Sequence, residues 1–302
     1  MALSTRIDPA GPGDAFIAVD WGTTNRRAWL IQDGAVRREE RDGRGAAAMV
    51  QADYPAELAG LRARLGDLPV LMAGMVGSTI GWREVPYVAA PAGLDDIARG
   101  LAWIDARTAI VPGIAWREEG GRADVMRGEE VQLLGAVAAD MVPADALLCQ
   151  PGTHCKWATI AEARIVRFVT AMTGELFALL RGHGLLARQL GADVTPGAAF
   201  DAGVAEGARR DLAASLFAIR ASGVLGLRDD ADAASYASGV LIGADVAARL
   251  ADREGGTVHV LADPALGALY ARAITLSGGV AAPVDSHAAF VAGITRIRSL
   301  TS

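Results

Sequence analysis

Two short turns each set a glycine beside threonine between apolar runs: Asp20-Trp21-Gly22-Thr23-Thr24 and Pro151-Gly152-Thr153-His154-Cys155-Lys156. A tight glycine turn points backbone N–H groups inward and threonine hydroxyls add donors, so the pair suits a phosphate chain gripped from two sides. Asp20 ends the apolar run "AFIAVD", where a buried carboxylate without a partner would be costly. Lys156 is the single lysine among 29 basic residues. In a chain that otherwise writes arginine, a compact charge on a thin stem suits a narrow phosphate site better than a planar fork. The other phosphate-binding patterns are missing from the sequence: it has no G-x-x-x-x-G-K-[ST] and no G-x-G-x-x-G between a strand and a helix. Gly11-Pro12-Gly13 precedes its strand and reads as a leader.

The elements that must position these turns repeat one design. "AFIAVD" and "RRAWLIQ" flank the first turn, and "GAVRREE" follows the hairpin signal Asp33-Gly34. "YPAELAGLRARLG" has helical spacing with Gly66 as its stop, and "LPVLMAGM" and "TAIVPGI" read as strands. The order predicts an antiparallel meander continued by a parallel strand and crossover helices. "REEGGR" (117–122) reads as a linker, and "VMRGEEVQLLGAVAADM" as the helix that follows it. Then "ALLCQ", the second glycine-threonine turn, "KWATIA" and "RIVRFVTA" repeat the strand, turn, strand theme. Helical segments, the strand "TVHVLAD" and the helices "PALGALYARAITLSG" and "SHAAFVAGITRIRS" complete the chain.

With 302 residues, 52% of them hydrophobic, the chain can bury two cores, since single cores stop growing near about 250 to 300 residues. The formal net charge of -6 argues against a nucleic-acid partner, because phosphate backbones are bound by clustered basic side chains. The run "RREERDGRG" (37–45) alternates in sign and reads as a solvated strand and turn. With no basic, apolar leader and no run of about 18 apolar residues, the expectation is a soluble cytoplasmic protein without a membrane partner. Cys149 and Cys155 are the only cysteines and are expected as reduced thiols.

Six stretches, "VDWGTTNRRAWL", "AGMVGSTIGWREVPYVAAPAG", "DVMRGEEVQLLGA", "PGTHCKWATI" with "TAMTGELFALLRGHGLL", and "SGVLIG", resemble in this order the 2-dehydro-3-deoxygalactonokinase family. The resemblance spans nearly the whole chain. It implies an α/β fold of two ribonuclease-H-like lobes with a cleft between them, as in the actin and hexokinase ATPases. We place the lobes at 1–118 and 119–302. The implied reaction is ATP-dependent phosphorylation of 2-dehydro-3-deoxy-D-galactonate at its 6-hydroxyl, with ATP and Mg2+ as cofactors.

The resemblance also assigns residues. Asp20, Gly22, Thr23 and Thr24 look like the first phosphate loop, with Asp20 holding the metal, usually through water. Gly152, Thr153, His154 and Lys156 look like the second; Cys155 stands where many relatives have serine. His154 either touches phosphate or pins the turn. For the sugar acid, Asn25, Arg27, Ser78, Trp82, Arg83 and Glu84 are the candidates, an arginine fork suiting the carboxylate and Trp82 a floor for the sugar. Arg26 and Arg83 also read as solvated charges. The adenosine is expected at Gly243, Ala262 and Asp263, although Ala262-Asp263 departs from the Gly-Ser of the family pattern. Glu129 and Glu130 are the candidates for the base that takes the acceptor proton. Glu129 follows Gly128 at the head of its helix, matching the place of the acid in related sugar kinases, and the second glutamate should be solvated or bonded to a helix-end amide. Gly135 and Ala136, with Ala288, Ala289, Ala292 and Gly293, mark two helices able to pack closely and act as a hinge between the lobes. The alternatives are a kinase of another keto-deoxy or aldonic acid, or a nucleotide-driven regulatory ATPase on the same lobes. The reading leaves room for a homodimer.

Overall fold

The computed structural model describes residues 15–251 and 255–301, so the leader Gly11-Pro12-Gly13 lies outside the described residues. β1 (Phe16–Trp21), β2 (Arg26–Gln32) and β3 (Ala35–Asp42) form an antiparallel meander, turned between β2 and β3 at Asp33-Gly34. α1 (Tyr54–Leu65) leads into β4 (Val70–Gly74), which lies parallel to β1. Pro55 stands in the first turn of α1, and Gly66 with φ 116° ends it. Tyr54, Leu58, Leu61 and Leu65 form its buried stripe. These side chains pack with Ile17, Val19 and Trp21, the alternate residues of β1. Strand alternation therefore turns Asp20 to the opposite face of the sheet.

β5 (Val88–Ala89), α2 (Leu94–Arg99), β6 (Ala102–Asp105), β7 (Thr108–Ile110), β8 (Ile114–Arg117), β9 (Ala123–Met126) and α3 (Glu129–Ala138) follow. The main sheet has the order β3-β2-β1-β4-β7-β6, and β5-β8-β9 form a small second sheet. β10 (Ala146–Gln150), β11 (Cys155–Ala161), β12 (Arg164–Ala171), α4 (Thr173–Gly182), α5 (Ala198–Gly207), α6 (Leu212–Val224) and α7 (Asp230–Leu250) come next. β13 (Thr257–Leu261), α8 (Pro264–Leu276), β14 (Val280–Val284) and α9 (Ser286–Ser299) close the chain. The third sheet has the order β12-β11-β10-β13-β14, with β10, β13 and β14 parallel.

Two compact units result. Among the described residues the first comprises 15–145, 159–168 and 286–301, and the second 146–158, 169–251 and 255–285. The expected division at residue 118 does not coincide with them, for a local reason. The "REEGGR" stretch is the turn of a β8–β9 hairpin, in which Arg117 pairs with Ala123 and the Glu118 amide donates to the Arg122 carbonyl. A cut there would split a paired ladder. The expected long helix likewise starts later, because Val125 and Met126 belong to β9.

Within the first unit α3 and α9 touch backbone to backbone. A β-carbon on Gly135 would stand 2.0 Å from the Ala289 carbonyl oxygen, and one on Gly293 would stand 2.1 Å from that of Val131. Trp29 of β2 packs on Phe290 of α9 with ring centroids 4.9 Å apart. In the second unit the core joins Cys149, Trp157, Phe200, Ile242, Val260 and Tyr270. Among the described residues no helix is long and apolar enough to cross a membrane.

Candidate active site

In the first unit Asp20 and Arg27 are direct cross-strand partners of the β1–β2 ladder. Ala28 packs with the α1 cluster, so alternation puts Arg27 on the same face as Asp20. Burial pushes the Asp20 carboxyl up, against a lowering by Arg27 and with a smaller push from the nearby Glu129, to about 6 in all. Gly22 to Asn25 close the turn with the Gly22 amide donating to the Asn25 carbonyl at 2.9 Å. The turn is braced from behind. Ala46 and Ala47 donate to the carbonyls of Gly22 and Thr23, each at 2.9 Å, and a β-carbon on Gly45 would collide with Thr23 and Thr24 at 2.3–2.5 Å.

Glu129 reaches this face because two glycines lie against each other. Gly74 has φ 91° and Gly128 φ 107°, both left-handed, and a β-carbon on Gly128 would come within 3.1 Å of the Gly74 α-carbon. Glu129 is partly exposed, and its carboxylate accepts from the Arg127 amide at 3.0 Å. Glu130 is fully buried, and both its oxygens accept from the Gly128 amide, at 2.9 and 2.7 Å. Burial and then the Glu129 charge push its carboxyl up to about 8, against those hydrogen bonds and the Arg127 charge. The adjacent acids are thus sorted by helix geometry into one reachable carboxylate and one turned inward.

In the second unit the turn at 151–154 lies against the head of α4. The Thr153 carbonyl accepts from Glu175 N at 2.9 Å, and a β-carbon on Gly174 would stand 2.4 Å from the Gly152 carbonyl. The His154 ring contacts the Glu175 carboxylate, which ties the turn to that helix. Lys156 is buried, with Nζ donating to Thr170 Oγ1 at 2.8 Å. Cys149 and Cys155 bracket the turn as buried free thiols with sulfurs 3.6 Å apart. Beside the turn is a cavity of about 190 Å³, lined by Gly152, Gly174, Phe177, Ser238, Leu241, Leu266 and Tyr270 among others. Thr173 and Tyr270 share a hydroxyl hydrogen bond of 2.8 Å in its wall.

The family model for 2-keto-3-deoxy-galactonokinase matches residues 20–297. The chain belongs to that family. The 2-dehydro-3-deoxygalactonokinase of Escherichia coli (strain K12) is 37% identical over 286 residues, covering 93% of this chain and 97% of the relative. A crystal structure from Sinorhizobium meliloti, assigned as a 2-dehydro-3-deoxygalactonokinase, superposes with a TM-score of 0.87 at 36% identity, over 93% of this chain and 97% of that one. The (R)-2-hydroxyglutaryl-CoA dehydratase component A of Acidaminococcus fermentans is alike in fold alone, with a TM-score of 0.50 at 11% identity over 95% and 98% of the two chains. The family's architecture is the α/β one of two ribonuclease-H-like lobes found in the actin and hexokinase ATPases.

The residues expected of a galactonokinase-family site fall into separate places in the fold. Asp20, Gly22, Thr23, Thr24, Asn25, Arg27 and Glu129 gather at the ends of β1, β2 and β4 in the first unit. Trp82 does not join them. Its ring stacks on Tyr54 at 5.7 Å and lines the groove beside α1, on the sheet face away from Asp20. Arg83 is exposed and donates to the Trp103 carbonyl of β6, Glu84 is exposed, and the buried Ser78 hydroxyl donates to Met75 O. Arg26 is no solvated charge: it is 2% exposed, paired with Asp42 at 2.6 Å and Glu57 at 3.0 Å. Gly243 faces Val204 in the α5–α7 contact, whereas its neighbours Ser238, Leu241 and Ile242 line the cavity. Ala262 and Asp263 follow β13, with Asp263 exposed ahead of α8. The sequence reading missed Gly45, Gly74 and Gly174, whose signal was glycine beside a motif, a signal diluted by the 36 glycines of the chain.

Proposed function

We propose that this chain transfers the terminal phosphoryl group of ATP to the 6-hydroxyl of 2-dehydro-3-deoxy-D-galactonate, giving 2-dehydro-3-deoxy-6-phospho-D-galactonate and ADP. The observation that carries the reading is the convergence of Asp20, Arg27 and Glu129 on one face of the first unit, in a chain of this family.

Glu129 takes the proton of the attacking hydroxyl. It is the reachable acid of its pair, and the Arg127 amide fixes its carboxylate. Arg27 binds the substrate carboxylate with its planar fork. The donor set fits magnesium: one half-buried carboxylate, Asp20, suits an ion that keeps waters and takes phosphate oxygens in place of a protein cage. Bound there, Mg2+ supplies charge neutralisation on the transferring phosphoryl group. Gly22, Thr23 and Thr24 offer donors from the first turn, and Gly152 and Thr153 from the second. Lys156 acts from a buried position, where its charge is felt at short range through little solvent. His154 pins its turn through Glu175. The cavity beside Gly152 takes the base of the nucleotide, held by apolar contact with Leu241, Leu266 and Phe177, and this replaces Gly243 in the adenosine assignment.

The test is coupled ADP release over a panel of keto-deoxy sugar acids, aldonic acids and neutral hexoses. Turnover should be greatest with 2-dehydro-3-deoxy-D-galactonate. Equal turnover with glucose or glycerol would overturn the assignment.

A further inference from the structure

Asp20 is the cross-strand partner of Arg27. Arg27 acts on the Asp20 carboxyl, as Glu129 does, and among the described residues makes an ion pair with neither acid. Its Nη1 instead meets Nε2 of His287, the second residue of α9. A guanidinium has only donors, so the imidazole accepts through Nε2 and carries its proton on Nδ1. The partner is neutral and fixed in place. α9 is seated on β2 by the Trp29–Phe290 contact and on α3 by the Gly135–Gly293 approach.

We infer that His287 is a positioning residue that holds Arg27 away from Asp20 and Glu129, so that its charge stays available for the carboxylate of the sugar acid. The inference rests on the reading of Arg27 as the carboxylate-binding group. Released from the imidazole, a flexible guanidinium close to two acids would pair with one of them. That pairing competes with the substrate carboxylate and neutralises an acid the reaction uses. A neutral acceptor solves the conflict because it orients the fork without cancelling its charge. The sequence gives no hint of this, since 260 positions separate the two residues.

The experiment measures equilibrium binding of 2-dehydro-3-deoxy-D-galactonate by calorimetry, with KM for both substrates, in wild type, Arg27→Ala, His287→Ala, His287→Gln and the Arg27→Ala/His287→Ala double variant. His287→Ala should weaken sugar-acid binding by about tenfold, the scale of losing one hydrogen bond to a charged group, with KM for ATP unchanged. His287→Gln should recover most of it, because its carboxamide oxygen also accepts from a guanidinium. The double variant should bind no more weakly than Arg27→Ala. Wild-type binding by His287→Ala, an equal loss in the Arg27→Ala background, or no recovery by glutamine would each overturn the positioning role while leaving Arg27 in the site. Unchanged binding by Arg27→Ala would overturn the carboxylate reading itself and the role of His287 with it. A merely structural role for His287 would appear as lowered Tm and would persist without Arg27.

Discussion

Gly128 and Gly74 face each other so closely that a β-carbon on the first would lie 3.1 Å from the α-carbon of the second. This contact sets the head of α3 against the end of β4, and with it the distance from Glu129 to Asp20. Gly128→Ala therefore meets both a crowded neighbour and a φ of 107°, together worth about 1–3 kcal/mol of stability. The expected result is a lowered Tm and a fall in kcat larger than the change in either KM. A variant with wild-type kcat would show that this contact does not place the acid.

Glu129→Gln should lower kcat by about 10²- to 10⁴-fold with sugar-acid and ATP binding largely kept, the usual scale for a positioned general base. Glu130→Gln should lose far less, since its carboxyl is turned onto the Gly128 amide. Steady-state kinetics on the two single variants decide the matter. If Glu130→Gln is the inactive one, the base is the buried residue.

Glu130 also predicts a pH dependence of stability. Burial pushes its folded-state pKa up to about 8, above the 4.5 of a solvated glutamate. Between those values the unfolded chain has released a proton that the native state retains, so stability falls as pH rises through this window and levels off outside it. Glu130→Gln removes this slope. Its Tm should gain on wild type from pH 5 to pH 8, and parallel Tm curves over that range would count against a neutral buried carboxyl.

Lys156 is buried, so substitutions there test packing as well as charge. Lys156→Met keeps the approximate volume and should raise KM for ATP with a modest change in Tm. Lys156→Arg asks a larger planar group to occupy the slot beside Thr170, and overpacking of that kind costs about 1–3 kcal/mol. Arginine should therefore be the less stable variant despite its charge. Thermal melts and ATP kinetics on both would show the opposite order if the lysine were an ordinary surface cation.

The cavity beside Gly152 makes a separate prediction. Leu266→Trp fills part of the 190 Å³ space and should raise KM for ATP by about tenfold, while equilibrium binding of the sugar acid is unchanged. An effect on the sugar acid alone would remove the cavity from the nucleotide site.

The sequence by itself determined the two glycine-threonine turns, the strands around them and the family, because each is a local pattern. An apolar run stopped by Asp20 and Gly22 reads as strand and turn whatever surrounds it, and α1 is written in the spacing of Tyr54, Leu58, Leu61 and Leu65 with Gly66 after them. The helix position also foretold that Glu129 and Glu130 diverge, with one of them solvated or bonded to a helix-end amide, and the structure turns Glu130 onto the Gly128 amide. Tertiary structure alone decided which sheet face each residue occupies. Trp82 follows β4 as closely as a site residue would, yet its ring finds Tyr54 on the α1 side. Arg26 and Arg27 are adjacent, and strand alternation sends one into a buried ion-pair network and the other to the acids. Gly45, Gly174 and His287 gain meaning only from segments distant in sequence, for contact between remote backbones is fixed by packing and leaves no periodic mark on the chain.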